Sequence, residues 1–110
     1  MLTVTIDSVP GYEIRQVYGE VLGTTARPQN VYSEGIRPLP GDNRPTTQIL
    51  TKLREDAIAR MVQAAYRHGA NAVLGMRFDH RSVGPGWTEI CAYGTAVLIV
   101  PLRSAAARSA

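Results

Sequence analysis

Between Thr47 and His68 the sequence holds one clear stretch of helical period, and that stretch restricts the fold more than any other feature. Leu50, Leu53, Ala57, Met61, Ala64 and Ala65 recur at helical spacing, and Ile58 and Val62 widen the stripe. Thr46 or Thr47 is placed to cap the first orphan amides. Arg67 and His68 suit the negative end of the helix, and Gly69 is placed to leave it through a left-handed cap. Asp56 and Arg60 stand four apart, the spacing of a surface ion pair. At ~1.5 Å per residue this helix is about 33 Å long, enough to cross a whole sheet. One helix covers only one face of a sheet, so whatever covers the other face becomes the central question.

The rest of the chain reads as strands. Leu2 to Ile6 alternates and ends at the turn Ser8-Val9-Pro10-Gly11. Tyr12 to Leu22 is a second, longer strand, punctuated by Gly19 and Gly23, which predict a bulge or a close backbone approach. Residues 24–45 hold Pro28, Pro38, Pro40, Pro45, Gly35 and Gly41 without sustained periodicity, and predict a long loop. Within it Asn30-Val31-Tyr32 has the makings of a short strand, and residues 40–43 of a turn. Ala72 to Asp79 and Trp87 to Leu102 predict a hairpin with Gly84-Pro85-Gly86 at its tip.

Taking the turn near residue 84 sets Asp79 opposite Glu89 and Arg77 opposite Cys91; a slip of one residue would exchange the faces. On this register Leu74, Met76, Phe78, Ile90 and Ala92 form the bed for the helix. Arg77, Asp79, Glu89, Cys91 and Tyr93 share the opposite face. Ala96 to Val100 is apolar on both faces, the pattern of a strand buried on both sides. With the second face wet, Val97 and Ile99 would each forgo up to ~1.5–3 kcal/mol of burial, so a partner subunit is expected there. The domain is expected to span residues 1–102, with residues 103–110 as a flexible tail.

At 110 residues there is room for one domain. The net charge is +3, but the basic residues, all arginine except Lys52, are scattered from Arg15 to Arg108. That dispersal argues against a nucleic-acid partner, which would need basic charge gathered on one stripe. The N-terminus lacks the charge and apolar regions of a signal peptide, and the longest apolar run falls far short of the ~20 residues that span a bilayer. The expected location is the cytoplasm, with no membrane partner.

Cys91 is the single cysteine, so no disulfide forms within the chain. Soft metals need several converging thiolate or imidazole ligands, and Cys91, His68 and His80 stand in no CxxC, HxxxH or other clustered spacing. In a ring, Cys91, Asp79 and Glu89 would repeat about an axis, and these are the candidate ligands for a divalent or soft metal ion, with His80 outside them. The plainer alternative pairs Arg77 with Asp79 and Glu89 in a half-buried network. Cys91 is expected to be an inert thiol, and Tyr93 and Trp87 to pack or to line an apolar pocket between subunits. No Ser-His-Asp arrangement, Walker loop or dinucleotide glycine motif is present, so no catalytic activity is expected.

Arg60-Met61, Gly69-Ala70-Asn71-Ala72-Val73 and Gly75-Met76-Arg77-Phe78-Asp79, with Glu89-Ile90 and Ala92-Tyr93-Gly94-Thr95-Ala96-Val97, resemble the YbjQ-like family. The likeness extends from about residue 3 to 102 and is strongest in the second half. It implies a β-α-β-β two-layer α+β domain, dodecin-subunit-like, with one long helix on an antiparallel sheet. It also implies assembly into a homopentameric ring and carries a heavy-metal-binding label. The Pro-rich run from Pro38 to Pro45 departs from the Gly-rich stretch usual in that family. The function expected is a ring-forming, non-catalytic binding or scaffold protein whose first partner is itself, with a further protein partner allowed. The alternative is a heavy-metal-binding protein with sites between subunits.

Overall fold

The computed structural model of the chain describes residues 1–28, 44–82 and 86–102. Its elements are β1 (Leu2–Thr3), β2 (Tyr12–Pro28), α1 (Arg44–His68), β3 (Ala72–Ser82) and β4 (Trp87–Pro101). The four strands form one sheet in the order β1-β3-β4-β2, with α1 packed on one face. The α+β class and the single helix on a sheet agree with the sequence. The sheet itself is mixed rather than antiparallel, because β1 runs parallel to β3 through Leu2↔Ala72 and Thr3↔Val73.

The helix forms where its period predicts but begins at Arg44, so Thr46 and Thr47 stand within its span rather than at the position before its first residue. Pro45 is tolerated there because first-turn amides have no intrahelical acceptor. At the other end the Ala70 amide bonds the Ala65 carbonyl at 3.2 Å and the Gly69 amide bonds that of Tyr66 at 3.0 Å. With Gly69 at φ +88°, this is a Schellman stop, and Ala70 seals it by burying its methyl in the core. Asp56 pairs with Lys52 at 2.9 Å, not with Arg60. Arg60 instead turns to the sheet and donates to the carbonyl of Thr24.

β2 is longer than its sequence suggests. It continues through Thr24 to Pro28 and pairs antiparallel with β4 from Tyr12↔Pro101 to Pro28↔Trp87. Thr25 explains why this stretch does not look like a strand: it is polar yet buried, its hydroxyl donating to the Leu53 carbonyl at 3.0 Å. Both glycine expectations hold. The ladder shifts register between Val17 and Gly19. At Gly23 the helix backbone lies so close that a Cβ would collide with the Ala57 carbonyl and the Met61 amide. The helix-side core gathers Val21, Leu53, Ala57, Met61, Ala65, Val73, Ile90, Ala92 and Ala96.

The β3–β4 register differs from expectation by two residues. Asp79 stands opposite Cys91, Arg77 opposite Tyr93 and Arg81 opposite Glu89. The hairpin centre lies one residue later than assumed, and a shift of two keeps every side chain on its face. A bulge between Leu74 and Arg77, with Gly75 at φ +62°, does change faces. Leu74 therefore leaves the helix bed and joins Ala72, Val97 and Ile99 on the far side.

That far-side cluster corrects the expectation that Val97 and Ile99 need a partner subunit. They are only 1% and 7% exposed in the single chain, because the N-terminal segment crosses this end of the sheet and lays Val4 and Val9 on them. Backbone bonds from Gly75 to Ile6 and from Met76 to Val4 hold the segment down, and the Leu102 amide bonds Gly11. The rest of the long loop, the strand considered at residues 30–32, the turn at 40–43, the hairpin tip at 83–85 and the tail at 103–110 lie outside the described residues.

Candidate functional site

The polar sheet face assembles as the alternation of β3 and β4 dictates, but its bonds are not those expected. Arg77 Nη1 donates to the carbonyls of Thr5 at 2.8 Å and Met76 at 2.9 Å. It is a clasp on the N-terminal segment, not a partner for Asp79 or Glu89. Glu89 pairs with Arg81 at 3.5 Å across the ladder. The half-buried Arg77–Asp79–Glu89 network is therefore absent among the described bonds.

Cys91 is half-buried, with Asp79 on one neighbouring strand and Thr24 on the other. Its Sγ lies 3.7 Å from the Ala92 carbonyl. Tyr93 is half-buried two positions along the same face. His80 belongs to β3 rather than to the turn and sits on the helix side, where its Nε2 accepts from Arg54 Nε at 3.2 Å. His68 stacks on Tyr18, with ring centroids 6.2 Å apart, while the Tyr18 hydroxyl reaches the Gly69 carbonyl.

These placements bear directly on a metal. Cys91 and Asp79 are brought together, Glu89 is engaged by Arg81, and the two histidines are bonded or stacked elsewhere. No group of three or more His, Cys, Asp or Glu residues gathers to hold a metal ion among the described residues of one chain. The described residues of a single chain therefore do not make up a soft-metal site, which needs three or four converging ligands.

Two other features stand out. β2 is an outer strand whose far edge meets no other strand among the described residues. Along it Ile14, Val17 and Leu22 are 46%, 60% and 52% exposed. Ile14 and Val17 border a small cleft of about 160 Å³ with Asp7, Leu74 and Val97. Between β2 and the C-terminal half of α1 runs a larger groove of about 520 Å³, lined by Leu22, Gly23 and Thr24 and by Arg60, Gln63, Ala64 and Arg67. The sequence reading assigned Arg60 and Arg67 to helix electrostatics. The signal for the groove was their shared face with Gln63, at spacings of three, four and seven.

Residues 1–100 match the family model described as "Putative heavy-metal-binding", YbjQ_1. The chain belongs to that family. Its relatives include a UPF0145 protein of Acidothermus cellulolyticus, 44% identical over 108 residues, covering 94% of this chain and all of that one. Another is a UPF0145 protein of Thermus thermophilus, 44% identical over 107 residues and 94% of each chain. In fold the chain is similar to a crystal structure of a DUF74-family protein of unknown function from Pediococcus pentosaceus. That likeness has a TM-score of 0.65 at 19% identity and covers 91% of this chain and 98% of that one. Family membership thus fixes the ancestry of the fold and leaves the task to the chemistry of the chain. No helix of the described residues is long and apolar enough to cross a membrane.

Proposed function

We propose that this chain is a non-catalytic binding or scaffold protein of the cytoplasm that works as a homo-oligomeric ring, a pentamer by likeness to its family. The observation that carries the reading is the outer edge of β2, which no strand pairs among the described residues and which exposed Ile14, Val17 and Leu22 flank. A long open edge with apolar side chains is a liability in a monomer and is ordinarily paired or covered. A second copy of the chain is the occupant always at hand, and closed rings arise from one repeated, heterologous contact. Native mass spectrometry on untagged, reduced protein tests it. A ring of defined subunit number is expected, and a monomer at micromolar concentration would end the proposal.

The second reading, heavy-metal binding between subunits, is favoured by the pairing of Cys91 with Asp79 and by the family's description. Each copy would contribute Cys91 and Asp79, with Glu89 released from Arg81 to join them. On this reading Cys91→Ser lowers the metal carried per ring, measured by elemental analysis, while the ring mass stays the same. An unchanged metal content in that variant would remove Cys91 from consideration.

A further inference from the structure

The groove between β2 and α1 has the composition of an anion site. Its walls carry two guanidinium groups, from Arg60 and Arg67, and the amide of Gln63, with the backbone of β2 from Leu22 to Thr24 opposite them and no carboxylate. The helix carboxylate one turn before Arg60, that of Asp56, is drawn away to Lys52. The floor exists because Gly23 has no side chain and because Ala59 and Ala64 have short ones.

The two arginines are prepared differently. Arg60 gives Nη1 to the Thr24 carbonyl, which holds the plane of its guanidinium and leaves its other N–H groups available. Arg67, two helical turns further on, and Gln63 between them make no hydrogen bond or ion pair among the described residues. Guanidinium forks recognise phosphate and carboxylate oxygens in pairs, so two of them along one groove suit a ligand with two anionic ends.

We propose that this groove binds a small polyanion, a phosphate- or carboxylate-bearing molecule with at least two negative charges, held between Arg60 and Arg67. The volume of about 520 Å³ falls within the range of small-molecule sites. The Arg60 side chain already takes the carbonyl of Thr24, so at this one position of β2 the groove favours a small ligand over an added strand. The proposal supplies a ligand for the binding-protein reading above and does not depend on the ring.

Isothermal titration calorimetry with inorganic pyrophosphate and with citrate, at constant ionic strength, tests it on the full chain. Saturable binding of at least one probe is expected, and the tighter probe tells phosphate from carboxylate recognition. Arg67→Gln should weaken binding about tenfold or more, the loss of one charge-assisted bonded pair. Arg15→Gln, on β2 outside the groove, should leave it unchanged. Failure of both probes to saturate, wild-type affinity in Arg67→Gln, or an equal loss in both variants would overturn the proposal. The native assembly mass measured on the same samples keeps this outcome separate from that of the ring.

Discussion

Gly23 sets the distance between the two layers, because any side chain there must displace the backbone of α1 at Ala57 and Met61. Backbone cannot swing aside as a flexible side chain can. Gly23→Ala is expected to cost at least ~1–3 kcal/mol, the usual penalty of overpacking, and to appear as a lower midpoint in urea denaturation. Asn71 carries a comparable burden through hydrogen bonds. Its amide nitrogen donates to the Ile99 carbonyl at 2.9 Å and its oxygen accepts from the Ile99 amide at 2.8 Å, so a side chain stands in for one more residue of ladder. Asn71→Asp keeps the acceptor and loses the donor. A loss of about 1–3 kcal/mol is expected, and a variant as stable as the parent in the same assay would contradict this role. Nothing in its sequence neighbourhood marks Asn71, because a turn asparagine is common whether or not it bonds a distant strand.

Among the elements, α1 was the most legible and β2 the least. The helix shows its apolar face every three or four residues and its stop at Gly69, and both signals are local. The end of β2 is not local: Thr25 is buried only because the Leu53 carbonyl, distant in sequence, accepts its proton. The hairpin faces were legible from alternation. Its pairs were not, because the turn centre lies beside residues with no period of their own, and the displacement of Leu74 depends on a bulge that the apolar pattern does not record. Of the candidate site, the shared face of Asp79, Cys91 and Tyr93 was readable, whereas the partner of Arg77 depended on where the N-terminal segment crosses the sheet and that of Glu89 on the hairpin register. Hydrogen exchange should rank the strands by their pairing. β4 amides, flanked by β2 and β3, should be the slowest, and the outward amides of β2 should be fast unless a second copy protects them.

For the molecule as a whole, the N-terminal segment decides how much surface is left to bury elsewhere. By covering Ala72, Leu74, Val97 and Ile99 with Val4 and Val9, it satisfies one end of the far face without any partner. Val9→Asp should place a charge against that cluster and destabilise the chain by about 1–3 kcal/mol, the loss of apolar contact plus partial desolvation of the charge at this half-buried position, read as a lower midpoint in urea. Ile14 and Val17 differ because both are exposed in the single chain. Ile14→Lys with Val17→Lys is expected to leave circular dichroism near that of the parent while dissolving the proposed ring. A double variant that keeps the full native assembly mass would place the contact elsewhere.

The ladder between β2 and β4 has one more consequence, mechanical in kind. Tyr12 and Pro101 are neighbours at the same end of it. A pull applied through the two flanking segments therefore enters at one pair and opens the strands like a zip, one bond after another. The same strands gripped at Pro28 and Pro101, at opposite ends, would have to slide past each other with every bond loaded at once. A sheet of this length is thus strong along one line of force and weak along the line that its own connections present.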